Sequence, residues 1–486
     1  MSVVSSEVSP FNPITDSDVR NIAAKLGFHV EDAEVEPLRL LLTAAHDTFK
    51  ELSKLEDYNP PLDRQRFSSS KHPTWLTDGT SWLPMNIVVK DNICVADIRQ
   101  QNGTDALPSW VPESDATVVT RILECGGRIV GTATCEALSC ATAKGYSAGG
   151  SSSGVAGLVG RRKFIEDKGE RIDVDMGMGA DQGGSIRVPA AFCGLVGLKA
   201  THGLIPYTGV ISCEPVLDHV GPICKTVWDT ALLLEAIAGR DGLDDRQSGA
   251  HDVGEVPYST NLDTWYNEAT KLHGSKQLSG LKVAILTETI DAPFVTAAME
   301  DEVRAVAGQL EQLGASVEQI SMPSHATARS LWMGQTLIPW TQSKWDKLPA
   351  GMRNEFINGA YEADKYPSLY QKCMNLTIKV TNEYEDIFRT FNVLLMPSVP
   401  FTAPPLFDRD TASSMKKISS TFGQTLNTMQ FNLTSHPAMV IPTGRAPDMS
   451  GKYPETLLPL SVQFVGPLHG EQELLKFRYT YEKGFD

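Results

Sequence analysis

GGSSSG at residues 149–154 and GADQGGSIRVPAAFCGLVGLK at 179–199, separated by a charged insert, form the stretch on which the reading of the chain turns. It holds two serine sites set in glycine, one at Ser151-Ser152-Ser153 and one at Ser185. Glycine lets backbone N–H groups approach a bound group closely. Gln182, Gly183, Gly184 and Ser185 run straight into an apolar segment, so Ser185 is expected on a turn whose successive N–H groups converge on one oxygen, a nest that stabilises an oxyanion. Serine is a weak nucleophile at neutral pH and needs a base within hydrogen-bond reach.

The best candidate base lies upstream. Lys90 ends the short apolar run NIVVK, which reads as a buried strand with the lysine at its tip. Burial disfavours the charged amine and can bring its pKa from about 10.4 toward roughly 7–8, where it accepts a proton. A Ser-Ser-Lys relay of this kind requires no histidine.

These residues resemble a known family. VKDN around Lys90, GGSSSG at 149–154 and GADQGGSIRVPAAFCG at 179–194 are together similar to the amidase signature family of serine hydrolases. The resemblance continues through GLKATHGLIPYTG (197–209), LDHVGPICKTVWDTALLLEAIAGRDGLDDRQ (217–247), FNLTSHPAMVIPTG (431–444) and LPLSVQFVGP (458–467), so it covers most of the chain beyond about residue 80. It implies an α/β fold with a large mixed β-sheet covered by helices on both faces. It implies Lys90 as base, Ser151 as a serine preceded by a cis peptide bond, and Ser185 as the acyl-forming nucleophile. The N–H groups of Gln182, Gly183, Gly184 and Ser185 match the family's oxyanion hole, and no cofactor or metal is implied. DQGGSIR and HGLIPYTG look most like the broad-range amidases associated with nitrile hydratases, which convert carboxamides to acids and ammonia. A glutaminase-type subunit of an amidotransferase complex is the rival within the family, and a catalytically silent binding or scaffold protein of the same fold is the rival outside it.

Two departures stand out. The segment 136–149 is shorter than the family's and lacks an Asn-Pro pair, and GRRKFIEDKGERIDVD (160–175) lengthens the run from Ser151 to Ser185. If the added residues bulge out between a helix and the next strand, the triad is intact; otherwise it is broken.

Composition sets the class. A chain of 486 residues with 41% hydrophobic and 21% charged residues is globular and ample for a large core. A formal charge of −16 argues against nucleic acid or an anionic membrane as partner and suits a small neutral amide substrate. Eight cysteines without metal-like or disulfide-like spacing, no N-terminal apolar run of signal-peptide type and no membrane-length apolar run lead to the expectation of reduced thiols and a cytoplasmic enzyme. Three glycosylation patterns, at Asn102, Asn375 and Asn432, then read as chance.

The order of elements follows from periodicity. TDSD at 15–18 is a capping pattern before Val19, Ile22, Ala23 and Leu26, with Gly27 as a stop, and the leucines from Leu38 to Leu55 give a second helix. Residues 1–75 are accordingly read as an N-terminal helical region and linker, and 76–486 as the catalytic domain. The helical faces suit packing on the same chain or a homodimer contact. Ser114-Asp115 is expected to cap a helix through Leu123, with a strand at 128–131, a helix from the triple serine through Val159, and a strand from Ile172 that delivers Ser185 to a sheet edge. Asp181 and Arg187 flank the cradle and are expected to fix its shape as an ion pair. Farther on, strands are expected at 282–286, 316–321, 393–396 and 460–465, with helices at 226–239, 301–313 and 472–482. Trp332, Trp340, Trp345, Tyr361, Tyr366 and Tyr370 cluster where the pattern weakens, as a substrate channel or as local core.

Other motifs carry less. Gly150 to Gly154 matches the G-x-S-x-G elbow with Ser152 as nucleophile, but ATAKGYSA before it is not strand-like. Ser68 to Lys71 matches S-x-x-K without its partner motifs, and Gly177-Met178-Gly179 is too short for dinucleotide binding.

Overall fold

The computed structural model describes residues 13–55, 83, 85–104, 110–135, 146–161, 163–165, 171–332, 345, 348, 350–406, 412–413, 415–416, 422–448, 453 and 455–485. The S-x-x-K motif, the boundary at 75, most of the short 136–149 segment and Trp340 lie outside these residues.

Among the described residues twelve strands follow in chain order: β1 (Asn86–Lys90), β2 (Arg128–Ala133), β3 (Lys163–Ile165), β4 (Arg171–Asp173), β5 (Met176–Asp181), β6 (Val196–Lys199), β7 (His219–Cys224), β8 (Lys282–Leu286), β9 (Ser316–Ile320), β10 (Val393–Pro397), β11 (Ala438–Pro447) and β12 (Leu457–Val465). Ten of them form one sheet in the order β2-β1-β5-β7-β6-β11-β12-β10-β8-β9. Pairing is parallel at both ends, where β1 joins β2 and β5 and where β8 joins β9 and β10, and antiparallel across the middle from β5 to β10.

Both faces are covered, and the period of two distributes each strand between two cores. Ile87 and Val89 of β1 enter one core with Met176 and Met178, while Val88 packs on the other side with Val155 and Val159. In β10, Val393 and Leu395 face one core and Leu394 and Met396 the other. The fold is thus α/β, with the large mixed sheet covered by helices on both faces that the sequence leads one to expect.

Several expectations are refined. The helix Thr117–Glu124 begins after Ala116 with no side-chain cap; Asp115 instead accepts the N–H of Ala96 through Oδ1 at 2.6 Å. The run from Ile172 is not one strand. Its first part belongs to β4, which pairs with β3 as a two-stranded ribbon off the main sheet, Lys163 opposite Asp173 and Ile165 opposite Arg171. The described parts of the lengthened segment, β3 and β4, thus lie between the helix Ser153–Arg161 and β5 and outside the main sheet. Strand β5 is the third of ten, so Ser185 follows an interior strand rather than an edge one.

The helix Asp16–Lys25 starts as its sequence dictates, with Thr15 and Asp18 forming a reciprocal capping box. It and the helix Asp32–Lys54 pack on helices Ala350–Lys365 and Leu369–Phe388 of the same chain. Val19, Leu42, Phe49, Trp345, Tyr361 and Tyr384 share that core; Phe28 stacks on Trp345 at 4.4 Å, and His46 Nδ1 meets the Tyr361 hydroxyl at 2.8 Å. Trp345 and Tyr361 are thus local core, and Tyr370 is exposed on the surface.

Candidate active site

The parallel pairing of β1 and β5 brings Lys90 and Asp181, the last residues of the two strands, to the same end of the sheet. Lys90 is fully buried, and its Nζ donates to Ser151 Oγ at 2.7 Å and to the carbonyl of Ala180 at 3.5 Å. The peptide bond between Gly150 and Ser151 is cis. The three serines divide the work of the turn. Ser151 meets the lysine, Ser152 Oγ donates to Ala180 O at 3.2 Å and so ties the turn to β5, and Ser153 opens the helix Ser153–Arg161.

Ser185 is held against this turn by its backbone, since Ser152 N–H donates to Ser185 O at 3.2 Å. Exposure rises along the series: Lys90 0%, Ser151 1%, Ser185 9%. All three are buried, and the described hydrogen bonds join Lys90 to Ser151 but not Ser151 Oγ to Ser185 Oγ. Ser152, fully buried and bonded to β5, is unsuited to be the nucleophile of an elbow.

Asp181 organises the loop between the strand and Ser185. Its Oδ1 accepts from Gly184 N–H (2.7 Å), Arg187 Nη2 (3.0 Å) and Asn432 Nδ2 (2.9 Å), and its Oδ2 from Ile186 N–H (3.1 Å) and Arg187 Nε (3.0 Å). Burial alone would push this carboxyl up; the charge of Arg187 and the hydrogen bonds from Arg187, Asn432 and Ile186 outweigh it and hold the carboxyl well below its usual range. Arg187 is as deeply buried and also donates through Nη1 to Thr428 O (2.8 Å) and Gln463 Oε1 (3.0 Å), and through Nη2 to Asn432 Oδ1 (2.6 Å). The expected ion pair is present, and its hydrogen-bonding capacity is well used, as a buried pair requires.

One of the four backbone N–H groups expected to converge on an oxygen already has a partner in the structure. The N–H of Gly184 is committed to Asp181, because this carboxylate reaches three residues along the loop. Those of Gln182, Gly183 and Ser185 find no acceptor among the described residues.

Sequence reasoning named Trp332 only as one of a cluster of aromatics and gave Thr428, Asn432 and Gln463 no role in the site. Thr428, Asn432, Gln463 and Trp332 reach this loop from 150 to 276 residues away, and no local pattern announces them. Asn432, which matches a glycosylation pattern, is fully buried in the network. A second buried lysine was also missed: Lys199 on β6 lies against Ala200 O (2.9 Å) and His219 Nε2 (3.3 Å), and burial, with Arg187 nearby, drives its pKa well below the ordinary range. Its described hydrogen bonds reach neither serine motif. Among the described residues no group of His, Cys, Asp and Glu converges in a way that could hold a metal ion.

The Amidase family model matches residues 83–475. The chain belongs to the amidase signature family. An enantioselective amidase of Rhodococcus rhodochrous is 30% identical over 81% of this chain and 78% of its own length. One component of the chloroplastic/mitochondrial glutamyl-tRNA(Gln) amidotransferase of Vitis vinifera is 28% identical over 81% of this chain and 74% of its own. In three dimensions the fold is similar to the corresponding component of the Thermotoga maritima glutamyl-tRNA(Gln) amidotransferase (TM-score 0.63, 22% identity, 98% of this chain and 96% of that one). It is likewise similar to the peptide amidase of Stenotrophomonas maltophilia (TM-score 0.61, 19% identity, 97% of each chain). The family's chemistry is hydrolytic, on C–N bonds.

Proposed function

We propose that this chain hydrolyses a carboxamide to a carboxylic acid and ammonia through Lys90, Ser151 and Ser185. The observation that carries the reading is the 2.7 Å contact between the buried Lys90 amine and Ser151 Oγ, in a turn whose next residue, Ser152, donates its N–H to the carbonyl of Ser185. A buried amine favours its neutral form and can serve as a base. Lys90 takes a proton from Ser151 as Ser151 takes one from Ser185, and Ser185 Oγ attacks the amide carbon. The carbonyl oxygen, now an oxyanion, is held by the N–H groups of Gln182, Gly183 and Ser185. Collapse breaks the C–N bond, and the nitrogen leaves as ammonia on the proton returned through Ser151. Water then attacks the acyl-Ser185 ester by the same proton route and releases the acid. Asp181 and Arg187 hold the loop in shape and take no part in the transfer.

Within the family, the relationship to an enantioselective amidase and the DQGGSIR and HGLIPYTG wording support a free-standing amidase of the nitrile-hydratase-associated kind, acting on small amides in the cytoplasm. No helix among the described residues is long and apolar enough to cross a membrane. Relatives that are components of amidotransferases support a second reading, a glutaminase that works within a complex. The test is ammonia release from a panel of aliphatic and aromatic carboxamides and glutamine by the purified chain and its Ser185→Ala variant. Release from simple amides that is lost in the variant supports the free-standing amidase. Release only with glutamine and an added partner supports the second reading, and equal release from both proteins removes Ser185 from the mechanism.

A further inference from the structure

The loop 181–185 shows one regularity that the catalytic roles do not use. In a trans peptide unit the C=O of one residue and the N–H of the next point in opposite directions, so a donor on the carbonyl fixes where the N–H aims. Each of the four peptide units here has its carbonyl bonded on the side away from the N–H. Asp181 O accepts from Asn432 Nδ2 (2.9 Å), Gln182 O from the indole Nε1 of Trp332 (2.7 Å), Gly183 O from Thr428 Oγ1 (2.6 Å) and Gly184 O from Val188 N–H (2.7 Å). The four N–H groups opposite them belong to Gln182, Gly183, Gly184 and Ser185. Only that of Gly184 is turned inward, to Asp181.

Three of these pins come from the helix Arg187–Cys193 that follows the loop or from the 428–432 segment. The fourth is Trp332, at the end of the helix Ser324–Leu331. Its ring also lies flush on the loop: a Cβ at Gly183 would stand 3.0 Å from Trp332 Cζ2. Glycine at 183 is what admits the indole, and the indole in turn selects the orientation of the Gln182–Gly183 unit.

We infer that Trp332 is a positioning residue for the oxyanion hole, its indole N–H fixing and polarising the Gln182–Gly183 peptide so that the Gly183 N–H is aimed at the developing oxyanion. The inference rests on the amidase reading above. A hydrogen bond at one end of a peptide unit strengthens the donor at the other, and both effects matter more where negative charge appears than in the bound ground state. The contribution therefore belongs in kcat rather than in KM.

The test compares Trp332→Phe, which keeps an aromatic ring and removes the N–H, with Thr428→Val, which unpins the unit whose N–H serves Asp181 rather than substrate. Site-specific replacement of Trp332 by 3-benzothienylalanine keeps the indole shape without the N–H and covers the case in which Trp332→Phe fails to fold. Turnover of a carboxamide is measured with affinity for a boronic acid, which mimics the tetrahedral adduct, and for the carboxylic acid product. Loss of about one hydrogen bond of transition-state stabilisation predicts a fall of about tenfold in kcat for both Trp332 replacements, with KM changed less than about twofold. Boronate affinity falls in step, product affinity holds, and Thr428→Val loses less. Replacements that keep the wild-type kcat, or lose activity through KM and product affinity together, overturn the positioning role while leaving the amidase reading in place. A wild-type chain that releases no ammonia overturns the amidase reading and the inference with it.

Discussion

The loop 181–187 and the N-terminal helical layer are both densely packed, the first by a connected polar network and the second chiefly by apolar area. In the loop, a buried carboxylate and guanidinium, two amide side chains, a threonine hydroxyl and an indole N–H hold a few residues of backbone in one shape. In the layer, the helices Asp16–Lys25 and Asp32–Lys54 are joined to Ala350–Lys365 and Leu369–Phe388 largely through apolar and aromatic contacts around Phe49, Trp345 and Tyr361, with the ion pairs Arg353–Glu34 and Lys25–Asp364 and the His46–Tyr361 hydrogen bond as separate polar links. Apolar burial is non-directional and tolerates small adjustments. A polar network is directional and fails as a unit when one member is removed. The fold thus places its directional interactions where N–H groups must be aimed and its forgiving ones where only area must be covered.

The contrast can be broken from either side. Arg187→Met leaves Asp181 charged and buried without its counterion, so unfolding stability is expected to fall by about 4 kcal/mol. Turnover should collapse as well, because Asp181, Thr428 and Asn432 lose a common partner; denaturant melts and amide turnover on the same preparation check this. Phe49→Ala removes a fully buried ring from the layer and is expected to cost about 3 kcal/mol. Its kcat below the melting range should stay within about twofold of wild type, since Phe49 packs in the core of the layer and outside the polar network of the loop. Turnover that follows stability equally in both variants would erase the distinction between the two regions.

The strands read at 86–90, 282–286, 316–321 and 393–396 coincide almost residue for residue with β1, β8, β9 and β10, three of them on apolar runs and β9 on the alternation of SVEQI. Strands β6, β7 and β11 did not stand out, because Gly197, Gly221, Pro222 and Pro442 count locally as breakers. Pairing overrides that local preference: Pro222 lies opposite Met178 within the antiparallel pair, and Pro442 sits at a register shift in β11. The site divides along the same line. Lys90, Ser151, Ser185, Asp181 and Arg187 sit in short motifs whose chemistry is local. Trp332, Thr428, Asn432 and Gln463 act on that chemistry only through chain folding, so a single linear motif carries no trace of their role.

The most direct measurement of the relay is the mass of the protein quenched during turnover of a slowly deacylating amide, followed by peptide mapping, for the wild type, Ser185→Ala and Lys90→Ala. The account predicts an acyl adduct on Ser185, none in Ser185→Ala, and accumulation slowed by several decades in Lys90→Ala, as expected for loss of the base that touches Ser151. An adduct on another serine, or acylation of Lys90→Ala at the wild-type rate, would contradict it.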